Sequence, residues 1–229
     1  DPNKVYVVTD GGIFVSYDGG TNWEGRNGGY QTQQFYANFG NSATNPNLGI
    51  GGMQDNSTAI FTGTGNWTRV LGGDGECAAI HPIDDQIMYG SSQYLNLRKS
   101  INGGQSFYGI SPGWNGEATA FNGPFELAPS DPNILYAGAQ SLWRSDDGGE
   151  TWTTATENLF ADGDFIVNIA VHTANPDIVY YSTAPAQTAT ARVFKVTANA
   201  PFVTELTGLP NRMCMDIAWH PTNYNIAYA

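Results

Sequence analysis

The residues of this chain that could do chemistry are carboxylates and aromatic rings set in short glycine-rich segments. Asp10, Asp55, Asp74, Glu76, Asp162 and Asp164 lie in such segments, as do Gln54, Tyr30, Tyr94 and Trp114. Two carboxyl groups facing each other across a cleft can act as general acid and general base on a glycosidic bond, about 6.5–9.5 Å apart if the reaction inverts. Asp55 and Asp74 are the candidate catalytic pair, with Asp10 or Asp164 as alternatives. The same side chains can instead cap turns through hydrogen bonds to nearby backbone, above all in GGDGE and ADGD. Aromatic faces stack on pyranose rings and carboxylates accept hydrogen bonds from sugar hydroxyls. On that ground Tyr30, Tyr94, Trp114, Asp10, Gln54, Glu76 and Asp164 are the candidate ligand-binding residues. A solvated loop face or a protein contact would carry the same residue types.

These residues need a scaffold, and an internal repeat supplies one. A short apolar strand, a turn built on Pro and Asn or Asp, and a second strand with an aromatic residue recur along the chain. The pattern reads NPNLGI (45–50), IDDQIMY (83–89), SDPNILY (130–136), ANPDIVY (174–180) and TNYNIAY (222–228), and the chain starts within another copy, DPNKVY (1–6). Its anchors are Tyr6, Ile50, Tyr89, Tyr136, Tyr180 and Tyr228, spaced 44, 39, 47, 44 and 48 residues apart. That is the period of a four-stranded propeller blade, whose faces must be covered by neighbouring blades. The fold expected is all-β, a β-propeller of four-stranded antiparallel blades. Residues 1–229 should form one contiguous segment of about five repeat units, part of a longer seven- or eight-bladed chain in preference to a closed five-bladed ring.

Strand a of each unit is assigned to QFYANF (34–39), CAAI (77–80), FELA (125–128), FIVNIAV (165–171) and MDIAW (215–219). Strand b carries the anchor. The b–c and d–a loops then share one face, and the candidate site residues collect there.

A second motif follows the anchor by about ten residues: SYDGGTNW (16–23), SINGGQSF (100–107) and SDDGGETW (145–152), with a worn copy, TGTGNW, at 62–67, and it is lost near 193–197. Ser and Asp or Asn side chains can bond the turn backbone, Gly supplies positive φ, and the closing ring packs into the sheet. The structural residues expected in these turns are Ser16, Asp18, Gly20, Trp23, Ser100, Asn102, Gly104, Phe107, Ser145, Asp147, Gly149 and Trp152.

This motif resembles the Asp-box, or bacterial neuraminidase repeat, of sialidases, xyloglucanase-type glycoside hydrolases, sortilin-type receptors and photosystem assembly factors. The wider run from QQFYANF through NPNLGIGGMQDNST, GGDGE and SQYLNLRKSINGGQSF is similar to exported bacterial repeat proteins of the Bacteroidota type. The resemblance implies c–d turns on the face away from the ligand and, for the xyloglucanase type, the two-carboxylate mechanism. Sialidase chemistry would need three arginines converging on the substrate. Arg98 and Arg144 instead precede the box turns, and an Arg-Ile-Pro signature is absent.

Other chemistries find little support. His81, His172 and His220 occupy one column of the repeat, in line with Ser42 and Ala128, and so read as turn-packing residues rather than one metal site. Cys77 and Cys214 make no CxxC or Cys/His cluster. No catalytic serine elbow, phosphate loop or dinucleotide fingerprint is present. No metal or cofactor is expected. Nine basic against 21 acidic residues give a net charge of −12, which repels nucleic acid and anionic membranes. No apolar run is long enough to span a bilayer.

The expected function is a non-enzymatic extracellular recognition or scaffold module that presents its loop face to a polysaccharide or a cell-surface protein. The alternatives are a xyloglucanase-like hydrolase and a structural element of a cell-surface assembly.

Overall fold

The computed structural model describes residues 1–9, 11–28, 33–36, 38–156, 163–185, 190–197 and 202–229. Asp10, Tyr30 and Asp162 lie outside the described residues. The chain forms two compact units, Asp1–Gln34 and Phe35–Ala229.

In the first unit β1 (Val5–Thr9), β2 (Gly12–Ser16) and β3 (Glu24–Gly25) make a three-stranded antiparallel sheet. The second unit repeats a four-stranded antiparallel meander. β4 (Gly40–Asn41), β5 (Gly49–Met53), β6 (Ser57–Phe61) and β7 (Trp67–Leu71) form one sheet. β8 (Gly75–Ile80), β9 (Met88–Ser92), β10 (Asn96–Ser100) and β11 (Tyr108–Gly109) form the next. β12 (Phe125–Ala128), β13 (Asp131–Gly138), β14 (Leu142–Ser145) and β15 (Thr153–Thr154) follow. The last is β16 (Phe165–Val171), β17 (Ile178–Ala184), β18 (Val193–Thr197) and β19 (Phe202–Glu205), before a two-stranded sheet of β20 (Ala218–Trp219) and β21 (Ala227–Tyr228).

Strand a came out as expected at β8, β12 and β16 but shorter at two places. Among the described residues of 34–39, Phe35 forms a bridge to Met53 and the Tyr36 N–H donates to the Gly52 carbonyl (3.0 Å), and β4 starts at Gly40 because Asn38 turns away at φ 60°. Within 215–219 only Ala218 and Trp219 pair. Met215 points to solvent, and the preceding loop is held by a hydrogen bond from Ser182 Oγ to the Cys214 carbonyl (2.6 Å) rather than by a ladder.

The repeat anchors stitch one sheet to the next. Tyr89 is buried and donates to the Gly148 carbonyl (3.1 Å), and buried Tyr136 donates to the Pro176 carbonyl (2.8 Å). Arg144 in turn donates to the Tyr136 hydroxyl (2.8 Å) and pairs with Asp177 (2.6 Å) and Asp146 (2.7 Å). Between the sheets, Leu97, Phe125, Leu135 and Trp143 form one core, and Ile166, Val179, Tyr181 and Phe194 another.

The turns at 16–23, 100–107 and 145–152 connect strands c and d and share one hydrogen-bond pattern. Ser145 Oγ accepts from the Gly149 N–H (2.8 Å) and donates to Asp147 (2.8 Å), whose carboxylate accepts from the Thr151 N–H (2.9 Å). Ser16, Asp18, Gly20 and Asn22 repeat it, as do Ser100, Asn102, Gly104 and Ser106. Gly148 and Gly149 have φ of 72° and 92°, which a side chain would resist. The Asn22 backbone N–H and side chain hold the Asp18 carboxyl at about 2. At Asp147 burial pulls the other way, but the Thr151 and Ser145 donors prevail and keep it at about 2. Ser145→Ala leaves the buried Gly149 N–H without its acceptor and should cost about 1–3 kcal/mol in urea unfolding.

The histidine column performs one task. His172 Nδ1 accepts from the Ala174 and Asn175 N–H groups (3.1 and 3.0 Å), and His220 Nδ1 from those of Thr222 and Asn223 (3.2 and 2.9 Å). Ser42 Oγ closes the same turn through Thr44 and Asn45 (3.0 and 2.8 Å). These imidazoles cap a–b turns. Among the described residues no group of three His, Cys, Asp or Glu could hold a metal ion, and no helix is long and apolar enough to cross a membrane.

Candidate functional site

A close backbone approach builds the site. A Cβ on Gly52, in β5, would lie 2.1 Å from the Glu76 carbonyl oxygen, and one on Gly75 would lie 2.4 Å from that of Ser57. Only paired glycines allow this contact, and it brings the 54–56 loop against the start of β8. Asp55 and Asp74 are thereby drawn toward one centre, Tyr36, whose hydroxyl donates to Asp74 Oδ2 at 3.5 Å. Burial first, then the charges of Asp74, Glu76 and Asp55, raises the Tyr36 pKa above its ordinary value.

Two further loops join this centre. Gln93 Oε1 lies 2.7 Å from where a Gly73 Cβ would stand, so the 93–95 loop rests on the Asp74 loop. The Tyr94 N–H donates to the Phe121 carbonyl (2.9 Å), and the two rings meet edge to face at 5.5 Å. Beside Phe121, the Asn122 amide nitrogen donates to both Glu76 oxygens (3.1 and 3.0 Å) in the orientation that satisfies both groups. One dipeptide, Phe121–Asn122, therefore ties the aromatic pair to the carboxylates.

Exposure separates contact residues from supports. Tyr94 is 63% and Phe121 42% exposed, and Asp55 is also exposed. Gln54 and Asp74 are half-buried. Glu76 is 0% exposed, and burial, followed by the Asp74 charge, pushes its carboxyl up to about 8. Expected to touch a ligand, it instead sits behind the surface and holds Asn122.

Two other expected contact residues are also internal. Trp114 is 5% exposed, because the 110–124 segment folds back at Gly113–Gly116 and inserts the indole into the core. There it donates to the Leu95 carbonyl (3.2 Å) and meets Trp143 and Trp152 edge to face. Asp164 is 0% exposed and pairs with Arg192 at 2.8 Å, fastening the start of β16 to the strand β18. Tyr36, Phe121 and Asn122 escaped the sequence reading. Phe121 and Asn122 share the 110–124 segment with Trp114, the more conspicuous aromatic residue, and Tyr36 falls within the strand expected at 34–39.

Two other cavities lie away from this centre. One of about 320 Å³ is lined by Asn38, Ala79 and Glu126, whose carboxyl burial and then Asp216 push up to about 8. One of about 570 Å³, beside the 206–217 loop, is lined by Leu206, Leu209, Met213 and Arg212, with no aromatic residue among the described residues of its lining.

Similarity to solved structures decides the architecture. An ancestral GH74 enzyme superposes with a TM-score of 0.65 at 19% identity, over 93% of this chain and 31% of that one. The fold is a β-propeller. The GH74 xyloglucanase from Xanthomonas campestris gives a TM-score of 0.62 at 12% identity, covering 99% of this chain and 42% of its own. The COPII outer coat vertex gives 0.61 at 10% identity, covering 86% and 56%. The chain thus spans about a third to a half of these propeller proteins, and identities this low show the fold alone. No protein-family model matches the chain, and no curated protein matches it. Within the second unit the candidate site lies on b–c and d–a loops, at the strand ends opposite the 100–107 and 145–152 turns.

Proposed function

We propose that this propeller is a non-enzymatic recognition module that binds a glycan through its loop face. The observation that carries the reading is the Tyr94–Phe121 pair: two exposed rings fixed by a backbone hydrogen bond, on loops that reach the Gly73–Asp74 loop through Gln93 and the Glu76 carboxyl through Asn122. Rings held in place before the ligand arrives lose little entropy on stacking against a sugar face. The Ser-x-Asp/Asn-Gly-Gly turns support placing the chain among Asp-box repeats, and the acidic, lysine-poor composition suits a secreted or cell-surface setting.

A hydrolase is the second reading, favoured by the charges of Asp55 and Asp74 both acting on Tyr36 and by the raised Glu76 carboxyl. Against it, Glu76 is wholly buried and already accepts hydrogen bonds from Asn122.

Native electrophoresis through gels containing soluble polysaccharides separates the two. The recognition reading expects retardation in at least one gel, weakened about tenfold or more by Tyr94→Ala, since a stacked ring contributes about 1–3 kcal/mol. Clearing of polysaccharide around the band would replace recognition with hydrolysis. Unchanged mobility in every gel would contradict both.

A further inference from the structure

We infer that the glycan carries an oxyanion, a uronate carboxylate or a sulfate ester, and that Arg98 takes it in a cavity beside the Tyr94 hairpin. The inference rests on the glycan reading and adds the charge of the ligand.

Cations have a regular place in this repeat. Lys99, Arg144 and Lys195 each stand opposite the anchor tyrosine of their sheet, Tyr89, Tyr136 and Tyr180. Lys99 pairs with Glu150 at 2.7 Å, and Arg144 with Asp146 and Asp177. Arg98 sits one residue earlier, in a column that the other sheets fill with apolar side chains, Phe14, Ala59, Trp143 and Phe194. Its half-buried guanidinium takes part in no ion pair and no side-chain hydrogen bond among the described residues. A partly desolvated charge without a partner is costly, and no contact within the fold repays it.

The surroundings leave room for a ligand. On its row Arg98 is flanked by Gly90 in β9 and Gly109 in β11. A Cβ on Gly109 would meet nothing within 4 Å, and one on Gly90 would meet Leu71 Cδ1 at 2.9 Å. Leu71 is a wall of a cavity of about 390 Å³ that Arg98 lines with Gly72, Ser92, Asn96 and Phe107. That volume falls within the range of small-molecule sites, about 300–1,000 Å³. No Asp or Glu lines it among the described residues. At Gly72 a second cation stands by, since Arg69 Nη2 lies 3.4 Å from where a Cβ on that glycine would be. The Asn96 amide nitrogen donates to Ser92 Oγ (3.1 Å), which leaves the Ser92 hydroxyl proton to donate in turn.

A guanidinium fork beside a hydroxyl donor suits a carboxylate or a sulfate group, whereas a neutral hexose would leave the charge unanswered. Ser92 and Asn96 are also the last pair of β9 and β10 before the 93–95 loop that carries Tyr94. A glycan chain stacked on Tyr94 can therefore cross that loop into the cavity. The net charge of −12 repels a polyanion at long range, so its binding has to come from a local contact.

The test is biolayer interferometry on two matched pairs of immobilised polysaccharides, pectate with fully methyl-esterified pectin and dextran sulfate with dextran. Within each pair only the charge differs, so the pair that responds tells a carboxylate from a sulfate. In at least one pair the anionic member should bind about tenfold more tightly or better, consistent with one charge-assisted contact. Arg98→Gln should remove most of that difference with the melting temperature unchanged, because the guanidinium has no internal partner to lose. Arg69→Gln should remove a smaller part of it. Arg212→Gln, which removes a cation lining a different cavity, should leave it intact.

Equal binding within both pairs, or preference for the neutral members, overturns the inference while leaving glycan recognition standing. An anion preference that survives Arg98→Gln, or that Arg212→Gln reduces as much, overturns it as well. If none of the four polymers binds, the inference fails. Glycan recognition fails with it only if the polysaccharide gels also show no retardation.

Discussion

Gly52→Ala should destabilise the second unit severely and disassemble the loop face with it. The added methyl would sit 2.1 Å from the Glu76 carbonyl oxygen and 2.3 Å from the Gly75 carbonyl carbon. These are backbone atoms of a paired strand, so no side chain can swing aside and β5 must separate from β8. Overpacking of this kind costs about 1–3 kcal/mol when neighbours can adjust, and a contact this short against backbone should reach or pass the upper end. The melting temperature should then fall by about 5–10 °C. Gly65→Ala is the matched control. A Cβ there meets nothing within 4 Å, so stability should be unchanged or slightly raised. Paired melts of the two variants check the claim, and equal melting temperatures would show that the close approach is not needed.

The second large effect is on pH dependence. Glu76 and Glu126 each have a folded-state pKa pushed up to about 8 by burial, against an ordinary value of 4.5. Between those values the folded protein holds protons that the unfolded chain releases, so stability must fall as pH rises from about 4.5 to about 8 and then level off. Asp18 and Asp147 act in the opposite sense. Their carboxyls are held at about 2, against 3.8, and their contribution is lost as pH drops through that range. The account therefore puts maximum stability near pH 4–5, on the acid side of neutrality. Glu76→Gln keeps a neutral side chain of the same shape. It should flatten part of the decline, on the order of 2–4 kcal/mol by pH 8 relative to pH 5. Urea unfolding of both proteins at pH 5 and pH 8 measures it, and a wild-type stability that rises over that interval would contradict the assignment.

The scaffold was legible because a propeller blade repeats its demands. Each blade needs an anchor that reaches its neighbour, and Tyr89 and Tyr136 do so through hydrogen bonds to the next sheet. Each a–b turn needs an acceptor for its backbone, and the column of His172, His220 and Ser42 supplies one. Site residues obey no such period. Trp114 and Tyr94 looked alike in the sequence, both aromatic and both in loops between strands. Each also opens a left-handed pair, with φ of 61° and 56° at Tyr94 and Leu95 and of 47° and 50° at Trp114 and Asn115. What separates them is packing: the indole meets Trp143 and Trp152 in the core, while the Tyr94 ring meets Phe121 at the surface. Glu76 and Asp164 sit at strand starts, where burial is set by the neighbouring loop and not by alternation along the strand. The Gly52–Gly75 contact was hidden for another reason. In a chain with 28 glycines, those serving turns and those serving close packing cannot be told apart by residue type.

The central claim is that Tyr94 and Phe121 meet a sugar. Saturation-transfer difference NMR tests it at the level of the rings, by irradiating aromatic protons and reading signal on a bound oligosaccharide. The account predicts strong transfer to the ring protons of an oligosaccharide cut from the polysaccharide that retards the native protein, and its loss in the Tyr94→Ala, Phe121→Ala double variant whose circular dichroism is unchanged. Transfer of equal strength in that variant would place the sugar elsewhere and contradict the account.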